Sequence, residues 1–86
     1  MKITIYTTPN CVQCNQTKKM FSAAEVAYDI IDLTQNPEAM EMVKELGYTQ
    51  APVVMADDRH WSGFRYEKIK DIIEKVNLGK VHGSQV

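Results

Sequence analysis

Lys2-Ile3-Thr4-Ile5-Tyr6-Thr7-Thr8-Pro9-Asn10-Cys11-Val12-Gln13-Cys14 is the stretch whose reading decides the fold. Ile3 and Ile5 alternate with Thr4 and Tyr6, the period of a strand, and Thr8-Pro9-Asn10 is a turn cluster that ends it. From Val12 to about Ala24 the period changes. Thr17, Met20, Phe21 and Ala24 fall at i, i+3, i+4 and i+7, one stripe of a helix. Cys11 therefore stands at or just before a first helical turn. A helix N-terminus favours thiolate over thiol, and two thiols at this spacing can close into a small disulfide and open again. A strand before the pair and a helix after it are the context that redox use of the spacing requires.

The remaining elements follow from the same signals. Val26 to Leu33 is rich in β-branched and aromatic residues and predicts a second strand. Asn36 suits an N-cap, Pro37 the first helical position and Gly47 the position just past the helix end, with Ala39, Met42, Val43 and Leu46 as the apolar stripe between them. Val53-Val54-Met55-Ala56 predicts a third strand, and Asp57-Asp58 a tight connection into a short fourth around His60-Trp61-Ser62. After Gly63 a third helix carries Ile69, Ile72, Ile73 and Val76 at helical spacing. Residues 1–78 read as one domain and the glycine-containing, patternless stretch 79–86 as a disordered C-terminal tail. The order β-α-β-α-β-β-α predicts a parallel first pair of strands, an antiparallel last pair, and a four-stranded mixed sheet flanked by three helices. That is an α/β architecture of the thioredoxin-like fold.

Composition bounds the function. At 86 residues there is room for one core, and 44% hydrophobic with 24% charged residues is ordinary for a globular domain. A formal net charge of −1 gives no reason to expect nucleic acid or an anionic membrane as partner. No apolar run approaches the length of a membrane span, and the alternating N-terminus does not resemble a secretory signal. The chain is therefore expected in a reducing, cytoplasmic compartment, where a lone cysteine pair is more often catalytic or metal-bound than structural. A structural disulfide closing so short a loop would remove little unfolded-state entropy. Half of a zinc site needs two further ligands, and only His60 and His82 remain, far apart in sequence. Inert buried cysteines are the third alternative. Redox use is the reading the context favours, with no bound cofactor, since two sulfurs can carry the electrons.

Ala51-Pro52 is a second constellation, because a proline immediately before a strand either simply starts it or marks a cis bond that shapes the backbone. In the second case the backbone of Ala51 would be offered to an extended peptide, as in strand addition.

Cys11-Val12-Gln13-Cys14 after a short strand, Ala51-Pro52-Val53-Val54 and Trp61-Ser62-Gly63-Phe64-Arg65 together resemble the NrdH redoxins, over about residues 2 to 75. That family is glutaredoxin-like in size and fold but behaves like thioredoxin, passing electrons from NADPH and thioredoxin reductase to class Ib ribonucleotide reductase. The resemblance implies Cys11 as nucleophile, Cys14 as resolving thiol and Pro52 as a cis proline beside them. It also implies that Trp61, Ser62, Gly63, Phe64 and Arg65 organise the loop leading into the last helix, near the site. Core packing is the plain alternative for Trp61, and a contact at a helix start for Phe64. Three departures stand out. Tyr66 occupies the place of the family's usual proline. Ser62-Gly63-Phe64-Arg65 replaces the Gly-Gly and acid with which glutaredoxins hold glutathione. Ile5 lies where thioredoxins carry a buried aspartate. The expectation is a monomeric dithiol–disulfide oxidoreductase. Its rivals are a glutathione-dependent glutaredoxin, and a module holding a metal or an iron–sulfur cluster through Cys11 and Cys14.

Overall fold

The protein is described from a computed structural model, which covers the backbone of residues 2–84 and the side chains of residues 2–77. Its elements are β1 (Ile3–Thr7), α1 (Val12–Ala23), β2 (Asp29–Asp32), a 3₁₀ turn (Leu33–Gln35), α2 (Pro37–Glu45), β3 (Val53–Ala56), β4 (Arg59–Ser62) and α3 (Tyr66–Ser84). The sheet runs β2-β1-β3-β4, with β1 and β2 parallel and the other two pairings antiparallel. This is the four-stranded mixed sheet with three helices that the element order implied.

Strand register sorts the side chains into two cores. Ile3 lies opposite Ala56, Ile5 opposite Val54, and Val54 opposite Trp61, so all five share one face. With Phe21, Val26, Ile69 and Ile72 they form the larger cluster, under α1 and α3. One residue out of step, Tyr6 lies opposite Val53, and this pair meets Leu33, Ala39 and Val43 under α2. Two-residue alternation along β1 and β3 is thus what seals the sheet on both faces. Transfer from water of the fully buried Ile3, Ile5, Phe21, Ile69 and Ile72 stabilises the fold by about 1.5–3 kcal/mol each.

The helix ends show why the elements stop. Asn36 caps α2 through Oδ1, which accepts from the Ala39 N–H at 3.0 Å, and Pro37 opens the helix. Past its end Gly47 takes φ +90°, while its N–H bonds Lys44 O and the Tyr48 N–H bonds Val43 O. This is the paired closure of a Schellman turn. The same closure ends α1, with Glu25 rather than glycine at φ +58° and the Val26 N–H on Phe21 O.

Three expectations change. The second strand does not begin at Val26, because Val26 is spent on closing α1 and buries its side chain in the larger core; pairing starts at Asp29. Leu46 is the C-cap of α2 and is exposed, so the α2 stripe is carried by Ala39 and Val43, with Met42 packed at its margin. Residues 79–84, read as tail, continue α3, since Gly79 costs a helix only about 1 kcal/mol and its neighbours propagate the turn; residues 85 and 86 lie outside the described residues.

Candidate active site

Three chain segments converge at the N-terminal end of α1. The first is the motif itself. Cys11 is the N-cap, in extended geometry (φ −105°, ψ 110°), and its Sγ stands in for the capping oxygen, accepting from the Cys14 N–H at 3.1 Å. A sulfur in this position meets the unpaired donors and the positive end of the helix, the arrangement that suits a thiolate. Asn10, at φ +59°, turns the chain into it. Cys11 is partly exposed, whereas Cys14 is 1% exposed, and both are thiols.

Burial pushes the Cys14 thiol up to about 11. Its hydrogen bond to Cys11 and the Cys11 charge push the same way, while the Thr8 backbone and Lys18 pull it down. No carboxylate figures among these influences, and Ile5 is fully buried in the larger core.

The second segment is the loop before β3. The Ala51–Pro52 peptide is cis, and the Ala51 carbonyl oxygen lies 3.8 Å from Cys11 Sγ. The third is the loop from β4 to α3. The Gly63 N–H donates to Pro52 O at 2.8 Å, and the Ser62 hydroxyl donates to Gln50 O at 2.9 Å. Gly63 sits at φ +85°, where a side chain would be strained. Arg65 folds back, its Nε donating to Ser62 O at 3.3 Å, and Tyr66 starts α3.

Gln13 ties the first segment to the third. Its Oε1 accepts from the Phe64 N–H at 3.2 Å, across 51 residues of sequence. The motif contains Gln13, yet nothing in the sequence announces this contact, and Gln50 and Thr8 act through backbone atoms that no side-chain pattern reveals. Val12 is 69% exposed at the lip of the site. Trp61 is 5% exposed in the larger core, so it supports the loop from beneath and presents no surface to a partner. Phe64 packs against the margin of that core.

Among the described residues no group of three or more His, Cys, Asp and Glu is arranged to hold a metal ion. His60 is engaged by the Tyr48 hydroxyl at Nδ1, 2.6 Å away. No helix among the described residues is long and apolar enough to cross a membrane.

A thioredoxin-like fold with an accessible cysteine capping α1 and a shielded one a turn behind defines a thiol–disulfide oxidoreductase. The glutaredoxin family profile matches residues 3–61. The chain is 44% identical to the glutaredoxin-like protein NrdH of Lactococcus lactis over 63 residues, 73% of this chain and 88% of that one. It is also 44% identical to the NrdH of Escherichia coli K12 over 69 residues, 80% of this chain and 85% of that one. The structure of the Escherichia coli NrdH-redoxin, a glutaredoxin-like protein with a thioredoxin-like activity profile, superposes with a TM-score of 0.81 at 42% identity, covering 83% of this chain and 93% of that one. The chain belongs to the glutaredoxin family and, within it, to the NrdH glutaredoxin-like proteins.

Proposed function

We propose that Cys11 is the nucleophile and Cys14 the resolving thiol of a cytoplasmic, monomeric electron carrier. In this reading it takes electrons from NADPH through a thioredoxin-reductase-type flavoenzyme and delivers them to a disulfide of ribonucleotide reductase. The observation that carries the reading is the contrast between the two sulfurs: Cys11 accepts a helix-end N–H and faces solvent, while Cys14 is enclosed. No bound cofactor is required.

The cycle follows from that contrast. The Cys11 thiolate attacks one sulfur of the partner disulfide, and the other partner sulfur departs. Cys14 then attacks Cys11 Sγ, releasing the second partner sulfur and closing the Cys11–Cys14 disulfide. Two of the influences holding the Cys14 proton are Cys11's own charge and hydrogen bond. Both vanish once Cys11 is bonded to the partner, while the Thr8 backbone and Lys18 remain. The first attack therefore removes two of the influences that hold the Cys14 proton, while burial, the largest, remains, and the partner thiolate released in that attack is a base available to take the proton.

Thioredoxin reductase is favoured over glutathione as electron source by the β4–α3 loop. Residues 59–66 contain no acid to hold the amino end of the tripeptide, and Phe64 and Arg65 occupy that stretch. A coupled NADPH-oxidation assay tests the choice, using a small disulfide with thioredoxin reductase and, separately, with glutathione and glutathione reductase. Turnover with thioredoxin reductase alone is expected; turnover mainly with glutathione would make the protein a glutathione-dependent glutaredoxin.

A further inference from the structure

The net charge of −1 conceals a separation of charge along the chain. Residues 1–24 carry three lysines and no acid. Residues 25–58 carry eight acids against Lys44 alone, and residues 59–86 carry six cations against three acids. The fold keeps the blocks apart. α2, with Glu38, Glu41 and Glu45, packs on one face of the sheet, while α1, with Lys18 and Lys19 and no acid, packs on the other. Arg59 and Lys75 are paired with Asp71, and neither of these ion pairs engages Lys19 or Arg65.

Between α1 and the start of α3, beside Lys19 and Arg65, runs an open groove of about 380 Å³. It is lined by Gln16, Lys19, Met20, Ala23, Phe64 and Tyr66. Val12, Gln16, Lys19 and Ala23 recur at helical spacing, so the groove begins one turn from the lip of the redox site. Tyr66 is 56% exposed along it, and Phe64 is fixed to the motif through Gln13. Glu67 follows Tyr66 in the first turn of α3.

We infer that the partner segment bearing the disulfide lies along this groove, its apolar side chain against Met20, Ala23, Phe64 and Tyr66 and its carboxylates facing Lys19 and Arg65. The inference rests on the proposed redox reading and specifies the chemistry of the substrate: a disulfide flanked by apolar and acidic residues. Charge complementarity selects this occupant. A second copy presenting the same groove would bring lysine against lysine. In the reaction the protein dithiol gives up two electrons and two protons, both partner sulfurs end as thiols, and Cys11–Cys14 becomes the disulfide.

Single-turnover mixing of pre-reduced protein with synthetic peptide disulfides tests this, without any reductase. The peptides carry flanks of Leu-Glu-Glu, Leu-Lys-Lys or Ser-Glu-Glu, and hydroxyethyl disulfide serves as the uncharged reference. At low salt the wild type should reduce the Leu-Glu-Glu peptide about tenfold faster than the Leu-Lys-Lys peptide, the preference shrinking to about twofold at roughly 0.5 M salt as screening sets in. Lys19→Glu should cut the low-salt preference to about threefold or less. Tyr66→Ala should reduce the advantage of Leu-Glu-Glu over Ser-Glu-Glu.

Equal wild-type rates on acidic and basic peptides at low salt, with hydroxyethyl disulfide still reduced, would overturn the inference and leave the redox reading standing. Failure on hydroxyethyl disulfide as well would overturn both. A dimer in solution that Tyr66→Ala dissociates would give the groove to a second copy and overturn the partner assignment.

Discussion

Cys11 and Cys14 are one helical turn apart and live in different surroundings. Cys11 sits at the rim, partly exposed, with a backbone N–H aimed at its sulfur and the Ala51 carbonyl nearby. Cys14 sits on the floor, 1% exposed, its proton held by burial and by Cys11 itself. The difference teaches that reactivity here is assigned by position on a helix end more than by charged neighbours. The turn that exposes one sulfur buries the other, and the order of attack follows.

The largest effects should come from removing either side of this contrast. Cys11→Ser should abolish disulfide turnover, measured in the coupled assay, because the rim then holds no thiolate. Cys14→Ser should slow turnover of protein disulfides by more than about tenfold and accumulate a mixed disulfide on Cys11, visible by intact mass. Normal turnover by Cys14→Ser would show that the floor takes no part.

Alkaline pH probes the floor directly. The Cys14 value is raised in the folded state, from 9.0 to about 11, so the folded protein holds this proton after the unfolded chain has lost it. The associated stability is present below about pH 9 and is lost as pH rises towards 11. Tyr6, also raised by burial, acts in the same direction, so denaturant melts of the reduced wild type and of Cys14→Ala should be compared. The pH dependence should be shallower in Cys14→Ala; identical slopes would place Cys14 in water.

Smaller effects should separate the rim from the scaffold. Gln13→Ala removes the acceptor of the Phe64 N–H and should cost about 0.5–1.5 kcal/mol of stability while slowing partner reduction more than thiol alkylation. Gly47→Ala meets no atom within 4 Å, so its cost is the left-handed backbone alone, about 1 kcal/mol, with thiol reactivity unchanged.

Much of this was legible in the sequence because its signals are local. Asn36, Pro37 and Gly47 mark α2 by chemistry acting within a turn of each residue, and the strand-to-helix switch around Pro9 and Cys11 does the same for the motif. What escaped reading depends on choices the chain makes elsewhere. Glu25 ends α1 in a conformation that glycine would have announced, and Val26 therefore looked like strand. Trp61 belongs to the core because the pairing of β4 with β3 places it opposite Val54, a matter of register. The link from Gln13 to Phe64 spans 51 residues and exists only once the sheet has formed. The cis bond at Pro52 came from family resemblance, since an X-Pro bond before a strand is ordinarily trans.

The most direct measurement of the rim-and-floor contrast is single-hit alkylation. Reduced protein is treated at neutral pH with sub-stoichiometric iodoacetamide, and the label is located by peptide mass spectrometry. Cys11 should take the label at least about 100-fold faster than Cys14, as the burial of Cys14 and its raised value both demand. Comparable labelling of the two sulfurs, or faster labelling of Cys14, would contradict the assignment of Cys11 as nucleophile and Cys14 as its shielded partner.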